Sequence, residues 1–255
     1  MDQITIYMTG TAGSGKTYLT NGFSEWLDLK RLDSITVNLD PGVDKLPYTP
    51  DVDIREWLTL ENVMDVYGVG PNGAQIICAD LISTKITEVK DEIDYQGGQF
   101  VIVDTPGQME LFTLRSSSQF IVNSLGFRNS VMVFLFDPVI SKTPSGLISL
   151  LFMSASAVFR LNLPQVMVLS KSDVLTEAEL EQVIGWSTDP ESLYNSLSTG
   201  TIRGLSDDLF HMLRETGLFR PLTPVSSING FGMEDIYDGI QEIFYGGEDV
   251  ESMLY

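Results

Sequence analysis

A glycine-rich segment near the start of the chain has the residue types that bind phosphate. Residues 10–17 fit the pattern G-x-x-x-x-G-K-[ST] and lie between a short apolar run and a predicted helix. In such a loop, consecutive backbone N–H groups surround phosphate oxygens at the positive end of a helix. We expect Lys16 to bridge the β- and γ-phosphates and the Thr17 hydroxyl to bind Mg²⁺. The predicted nucleotide contacts are Gly10, Gly13, Ser14, Gly15, Lys16 and Thr17.

Acidic residues stand at the ends of two further apolar runs. Asp104 follows residues 100–103 and opens the segment Asp-Thr-Pro-Gly-Gln, in which Gln108 is placed to orient a water molecule. An acid at this position holds Mg²⁺, usually through a water, beside the phosphate loop. Asp40 follows the run 35–39 and is a second candidate for the metal or the attacking water, although Asp-Pro-Gly is also good turn chemistry. The predicted metal-binding residues are Thr17, Asp40 and Asp104.

The segment 170–173, Ser-Lys-Ser-Asp, has the chemistry for choosing a purine base. It follows a predicted strand and matches the guanine-binding pattern Asn/Thr-Lys-x-Asp except at its first residue. Asp173 would accept hydrogen bonds from guanine N1–H and N2–H₂, whereas adenine offers no such pair of donors. Lys171 would cover the ring with its methylene stem. Ser170 is expected to bond a carbonyl of the phosphate loop in place of Asn or Thr, and Ser227 to offer a backbone N–H to guanine O6.

The elements that must position these groups alternate along the chain. Short apolar runs, typical of strands buried on both faces, alternate with longer helical patterns. The predicted strands are Ile4–Met8, Ile35–Leu39, Phe100–Asp104, Val131–Phe136, Gln165–Ser170 and Leu222–Ser226. The predicted helices are Lys16–Leu29, Met109–Gly126, Ser145–Leu161, Thr176–Ile184, Leu205–Thr216 and Met233–Phe244. This order predicts an α/β fold of the P-loop NTPase type, with three layers and a mostly parallel sheet between helices.

A single domain is predicted over residues 1–245, since the sequence contains neither an internal repeat nor a low-complexity linker. Residues 53–95 are predicted to form a helical insertion between the second and third strands. Residues 186–203, rich in Ser, Thr and Gly, are predicted as a surface loop with room for one helical turn. Residues 246–255 are expected to form a loosely held acidic tail.

Composition restricts the partners and the compartment. The net charge is −20 and no run of four or more Lys or Arg occurs, which argues against non-specific nucleic-acid binding. The start of the chain lacks the pattern of a secretory signal. The longest apolar stretch, 147–159, contains serines and is shorter than the ~20 residues that span a bilayer, so we predict a buried helix and no membrane span. A single cysteine, Cys78, fits a reducing cytosol, and we expect a cytoplasmic protein.

With these motifs in this order, the chain resembles the GPN-loop GTPases. The tripeptide that gives the family its name stands here as Gly70-Pro71-Asn72, inside the insertion and between two nucleotide motifs. By itself Gly-Pro-Asn-Gly is a common turn, and the tip 71–73 is too polar and turn-like for a core. The resemblance covers nearly the whole chain and is strongest to compact, archaeal-like single-domain members. The other segments that carry it are residues 10–17, 38–42, 53–55, 104–112 and 170–173.

The resemblance implies a Mg²⁺-dependent GTPase that binds GTP and GDP and works as a homodimer through the face that carries the GPN loop. It implies that Asn72 reaches the partner's phosphates, whereas Asp40, Gln108 and Glu110 hold the water and the metal in their own subunit. Two roles for Arg115 stay open with equal weight: stabilising negative charge during the reaction, or that of an ordinary surface arginine.

Three classes of function remain open at this point. The first is a GTPase switch whose dimer changes shape on hydrolysis and handles a protein client of unknown identity. The second is a P-loop kinase that passes the γ-phosphate to a small molecule or polynucleotide. The third is a nucleotide-stabilised scaffold with little turnover. Gln108 and Glu110 near the γ-phosphate, together with the acidic surface, disfavour a polynucleotide kinase.

Overall fold

A parallel sheet forms the centre of the structure. The computed structural model describes residues 3–197, 210, 212, 215 and 219–246. The strands in this part of the chain are β1 Ile4–Gly10, β2 Ser34–Asn38, β3 Val52–Asp53, β4 Phe100–Asp104, β5 Ser130–Phe136, β6 Gln165–Leu169 and β7 Thr223–Pro224. They form one 7-stranded sheet in the order β3-β2-β4-β1-β5-β6-β7, and every neighbouring pair is parallel. All six predicted strands are present.

Helices cover both faces of this sheet. They are α1 Lys16–Leu29, α2 Leu60–Tyr67, α3 Pro71–Gln96, α4 Met109–Thr113, α5 Ser116–Gly126, α6 Pro138–Ser141, α7 Pro144–Leu161, α8 Glu177–Thr188, α9 Pro190–Ser196 and α10 Met233–Tyr245. Short 3₁₀ turns occupy Ile54–Glu56, Phe127–Asn129 and Ser172–Val174.

The central strand β1 is nearly all apolar because it is buried on both faces. Alternate side chains point to opposite faces of a strand, and both faces here are covered. Ile6 and Met8 pack with α1 and α10 in one core cluster. Tyr7 packs with α3, α5 and α7 in the other. The predicted three-layer arrangement, with a sheet between two layers of helices, is therefore confirmed.

The carboxyl ends of four neighbouring strands bring the sequence motifs together. Met8 of β1 and Asn38 of β2 both lie in register with Asp104 of β4, and Gly10 lies in register with Leu135 of β5. Because parallel strands end at the same edge, the loops that follow them meet there. This edge is where ligands bind in open α/β sheets.

Two predicted segments differ from the structure in their helices. The predicted helix 109–126 is divided into α4 and α5, because Leu114 ends the first helix and Arg115 adopts an extended conformation. The segment 186–203, predicted as a surface loop with room for one helical turn, contains more helix and more buried side chains in its described part than expected. Trp186 is buried near the end of α8, and Asp189 caps a further helix, α9, by accepting a hydrogen bond from the Glu191 N–H.

The insertion contains the predicted helices, α2 and α3, together with a short strand at its start. The short strand β3 pairs with β2 and was not predicted. Gly70 is the N-cap of the 26-residue helix α3, and Pro71 occupies its first turn. Proline suits this position because its fixed φ is already helical and its missing N–H is not needed. The tip 71–73, expected to be turn-like, is therefore the amino end of a long helix.

The remaining predictions concern the helix 205–216, the tail and the absence of a membrane span. The predicted helix 205–216, apart from residues 210, 212 and 215, and the tail after residue 246 lie outside the described residues. In the described part of the chain, α7 alone is long and apolar enough to cross a membrane, and 39% of it is buried inside the protein. Its buried side chains, which include Leu147, Leu150 and Leu151, belong to the hydrophobic core.

Candidate functional site

The phosphate loop connects β1 to α1 through backbone conformations that favour glycine. Gly10 has φ 144° and a Cβ there would lie 2.7 Å from the Leu135 carbonyl oxygen, so a side chain has no room. Gly13 and Gly15 also have positive φ values, of 74° and 98°. The Ser14 hydroxyl is buried and has no hydrogen-bond partner in the described structure. The loop therefore provides a concave backbone with an unsatisfied polar group, which suits a phosphate.

Lys16 is held inside this loop at the start of α1. Its ammonium donates to the carbonyl oxygens of Gly10 and Thr11 at 3.0 Å each and to that of Gly107 at 2.8 Å. Burial disfavours the charged form and lowers the pKa of Lys16 to about 8, against the opposing effect of nearby carboxylates. Lys16 thus links the phosphate loop to the segment that follows β4, and its contact with the β- and γ-phosphates stays a prediction.

Asp104 ends β4 beside the phosphate loop. Burial raises its pKa to about 6, although the nearby Thr17 hydroxyl and Lys16 ammonium favour the carboxylate. One carboxylate oxygen, Oδ1, is buried with no hydrogen-bond partner, and Oδ2 accepts a hydrogen bond from the Tyr48 hydroxyl at 3.3 Å. Tyr48 was not identified from the sequence. The only indication of its role in the sequence is its position between Asp40 and Asp104, directly after Pro47.

The residues around Asp104 fit a magnesium ion. Mg²⁺ prefers hard oxygen ligands and commonly takes one or two carboxylates together with phosphate oxygens and water. Asp104 Oδ1 and the Thr17 hydroxyl are donors of that kind. Within the described residues no group of three or more His, Cys, Asp or Glu could hold a metal ion. A metal at this position would therefore depend on the phosphates of a nucleotide.

Asp40 joins the loops that follow β2 and β4. Its Oδ2 accepts a hydrogen bond from the Gly107 N–H at 2.9 Å, and its Oδ1 accepts one from the Gly42 N–H at 2.9 Å. Asn38 supports this arrangement, since its Oδ1 accepts from the Asp40 N–H at 3.0 Å. The structure therefore brings Asp40 next to the 104–108 segment, as its prediction as a second acid requires.

Gln108 and Glu110 follow Gly107 and are exposed. The Gln108 side chain donates a hydrogen bond to Gln75 Oε1 of α3 at 3.1 Å, a contact that the sequence did not predict. Glu110 lies in the first turn of α4, near enough to Lys16 for its charge to raise the pKa of that ammonium. Gln75, Gln108 and Asp40 also line a cavity of about 120 Å³ between α3 and the strand ends.

A larger cavity of about 440 Å³ lies over the phosphate loop. One wall is the segment 43–47, which the sequence did not assign to the site. Arg55 braces this segment by donating to the Val43 carbonyl at 3.0 Å while it forms an ion pair with Asp53. The conformation of the wall thus depends on the segment 53–55, for which the sequence suggested no role. The lining residues are Gly13, Gly15, Lys16, Thr17, Tyr18, Val43, Lys45, Leu46, Pro47, Gly107 and Lys171.

The predicted base-binding residues stand at the ends of β6 and β7. Asp173 is exposed in a 3₁₀ turn, and the Ser172 N–H donates to the Val225 carbonyl at 2.9 Å, which ties this turn to the loop containing Ser227. The prediction for Ser170 was wrong, because its hydroxyl donates to the Phe136 carbonyl of β5 at 3.0 Å and not to the phosphate loop. Lys171 takes that role instead by donating to the Gly13 carbonyl.

Asn72 and Arg115 lie away from the phosphate cavity of their own chain. Asn72 is exposed at the second residue of α3 and lines neither cavity. Arg115 forms a two-pronged ion pair with Asp80 of α3. For Arg115, the structure favours a role in joining α3 to the start of α5 over one at the phosphates.

Comparison with known proteins gives matches that cover all the motifs described above. A family model described as "Conserved hypothetical ATP binding protein" matches residues 8–246. The chain is 31% identical over 242 residues to GPN-loop GTPase 1 of Dictyostelium discoideum, covering 93% of this chain and 60% of that protein. It is 36% identical over 179 residues to GPN-loop GTPase PAB0955 of Pyrococcus abyssi, covering 69% of this chain and 71% of that one. The chain thus spans about three fifths of the Dictyostelium relative's length.

The similarity extends to three-dimensional structure. The crystal structure of PAB0955 from Pyrococcus abyssi, described as a GTPase in apo form, matches with a TM-score of 0.83. The sequence identity in that match is 31%, and it covers 95% of this chain and 98% of the other. The predicted P-loop NTPase fold is thereby confirmed.

Proposed function

Because this chain belongs to the GPN-loop GTPases, a family of GTP hydrolases, we propose that it binds GTP with Mg²⁺ and hydrolyses it to GDP and phosphate. The single observation that carries the proposal is the meeting of two sites at one sheet edge. Lys16 begins α1 directly after the phosphate loop, Asp104 ends β4, and Lys171 of the base motif touches the Gly13 carbonyl of the phosphate loop.

The base motif supports guanine against adenine. The matching family model is described by ATP binding, whereas the curated relatives are named GTPases. Asp173 supports the second description, since its exposed carboxylate could accept both guanine donors and would remain unpaired opposite adenine. We therefore propose GTP and GDP as the nucleotides.

The chain's own residues divide the chemical work. Lys16 and the backbone of the phosphate loop would bind the β- and γ-phosphates, and Thr17 and Asp104 would hold Mg²⁺. When bound, the metal would neutralise charge on the phosphate oxygens. Gln108 would orient the attacking water, assisted by Asp40 and Glu110. The contact of Asp40 with the Gly107 N–H and the effect of the Asp40 and Glu110 charges on Lys16 support this assignment.

The proposal also covers the assembly of the protein and its role in the cell. We propose a homodimer that meets through the face carrying Gly70-Pro71-Asn72, acts in the cytoplasm and handles a protein client. The exposure of Asn72 at the start of α3, outside its own phosphate cavity, supports a role toward a partner's nucleotide. A P-loop kinase and a scaffold with little turnover are the alternatives.

Guanine selection by Asp173 is the direct test of the proposed nucleotide. In Asp173→Asn the amide NH₂ would face the guanine N2–H₂ group, another donor, but would donate to O2 of xanthine. We expect GTP affinity to fall by about tenfold or more and xanthosine triphosphate to become the preferred ligand, each tenfold corresponding to about 1.4 kcal/mol. Calorimetric titration of both proteins with both nucleotides measures this exchange. Unchanged GTP affinity in the variant would show that the base binds elsewhere.

A further inference from the structure

We propose that Asp137 is a positioning residue of the guanine site, which acts by holding the Lys171 ammonium. The inference rests on the proposed function, because it assigns a residue to the same nucleotide site. Neither the P-loop motif nor the base motif includes Asp137, which directly follows β5. Since β5 lies between β1 and β6 in the sheet, Asp137 stands between the phosphate loop and the base motif.

The two carboxylate oxygens of Asp137 have different partners. Oδ1 accepts hydrogen bonds from the Val139 and Ile140 N–H groups, at 2.9 and 3.4 Å, and so caps helix α6. Oδ2 accepts from the Lys171 ammonium at 3.4 Å. The cap fixes the orientation of the carboxylate, and this fixed orientation directs the second oxygen at Lys171. The Asp137 side chain is 13% exposed, so solvent screens this ion pair less than a surface pair.

Lys171 is held along its whole length. Its backbone is left-handed, with φ 48°, which is uncommon for a residue with a side chain. Its stem crosses the phosphate loop, where Cε would lie 3.2 Å from a Cβ placed on Gly15. Its ammonium bonds both the Gly13 carbonyl and Asp137. The stem that covers the guanine ring is therefore stretched between a fixed backbone and two fixed acceptors.

Because Asp137 holds Lys171 in place, it should influence nucleotide affinity rather than the chemical step. A rigid lysine stem needs no ordering when the base arrives, so part of the entropic cost of binding is removed in advance. GTP and GDP carry the same base and should benefit alike. Selection of guanine over adenine depends on Asp173, and the chemical step lies on the other side of the phosphates. Asp137 should therefore affect affinity for both nucleotides and KM more than kcat.

A purely structural role is the competing interpretation, since Asp137 is also a helix cap. Asparagine caps helices about as well as aspartate, so Asp137→Asn keeps the Oδ1 cap while it removes the charge opposite Lys171. The chain offers a matched control in Asp189, which is likewise followed by proline and caps α9 through its Oδ1 at 3.1 Å from the Glu191 nitrogen. Asp189→Asn makes the same change at a cap that has no contact with the nucleotide loops.

The experiment compares calorimetric GTP and GDP affinities, steady-state KM and kcat, and melting temperature in the wild type and both variants. In Asp137→Asn we expect both affinities to fall by about five-fold, consistent with a partly screened ion pair, with KM raised more than kcat is lowered and the melting temperature close to wild type. In Asp189→Asn we expect affinities to stay at the wild-type level. In a Lys171→Met background, Asp137→Asn should have no further effect on affinity, because the partner of the carboxylate is gone.

Each outcome separates the inference from the function on which it rests. Wild-type protein that binds no guanine nucleotide would overturn both. Wild-type protein that binds GTP, with unchanged affinity in Asp137→Asn, would overturn only the role of Asp137. Equal losses in the Asp137 and Asp189 variants, or an additive loss in the Lys171→Met background, would assign Asp137 to helix capping alone.

Discussion

At the scale of residues, the site contains buried charged groups. Burial disfavours their charged forms, and the opposite charges of neighbouring groups stabilise them. Burial lowers the pKa of Lys16 and raises that of Asp104, and each charge partly offsets the effect on the other. The sequence predicted these two residues because their motifs require specific types at fixed spacings. It did not predict Tyr48, Gln75 or Asp137, because their roles depend on which loops meet at the sheet edge.

Gln108 should matter to the chemical step more than to binding. It is exposed and contacts Gln75, not the phosphate loop, so it contributes little to holding the nucleotide. Orientation of a water is an effect on the transition state. We expect Gln108→Leu to keep GTP affinity within a few-fold while kcat falls by about 10²-fold or more. Titration and single-turnover hydrolysis measure the two effects. A wild-type rate in this variant would transfer the role to Asp40 or Glu110.

At the scale of elements, the function depends on motifs that follow neighbouring parallel strands. The bounds of β4 and α1 agree with the sequence-based prediction because a continuous apolar run and a motif mark their ends. The boundary between α4 and α5 was missed, since Arg115 has an extended backbone and forms an ion pair with Asp80, 35 residues away. The strand β3 was missed because two residues carry too short a pattern, and its pairing with β2 requires the tertiary fold.

The turn from β1 into the phosphate loop should tolerate no side chain at Gly10. Alanine there would take a φ of 144° and place its Cβ 2.7 Å from the Leu135 carbonyl oxygen. We expect Gly10→Ala to lower the free energy of unfolding by about 1–3 kcal/mol, and also to weaken GTP binding because the loop must shift. Urea denaturation and titration measure both.

Gly185 provides the matched control for this substitution. It lies in helix α8 and a Cβ there would have no neighbour within 4 Å. Gly185→Ala should leave GTP binding unchanged and raise the free energy of unfolding by up to about 1 kcal/mol, since alanine favours helix more than glycine. Equal behaviour of the two variants would contradict the account of Gly10.

At the scale of the whole molecule, the nucleotide edge of the sheet continues into the amino end of α3. Gln75 of that helix contacts Gln108, and Asn72 lies one helical turn earlier at the surface. A second subunit docked on this face would meet both the catalytic segment and the exposed Asn72. The proposed homodimer would in this way connect the state of the nucleotide to the relative position of two subunits.

Complementation tests whether Asn72 acts across the dimer. Lys16→Ala removes phosphate binding and Asn72→Ala removes the group proposed to act in trans, so each protein alone should be inactive. In a mixed dimer, the Asn72→Ala subunit has an intact phosphate loop and receives Asn72 from its partner. Random mixing of a two-fold dimer should restore about a quarter of wild-type hydrolysis. No recovery, with mixed dimers demonstrated by co-purification of two tags, would place Asn72 in its own subunit's site or outside the mechanism.

The fate of the γ-phosphate tests the central claim most directly. Wild-type protein is incubated with Mg²⁺ and GTP or ATP labelled at the γ-position, with and without a cell extract stripped of nucleotides, and the products are separated by thin-layer chromatography. We expect labelled free phosphate from GTP, far less from ATP, and none in Lys16→Ala. Label transferred to another molecule, equal turnover of ATP, or intact GTP throughout would contradict a guanine-specific hydrolase.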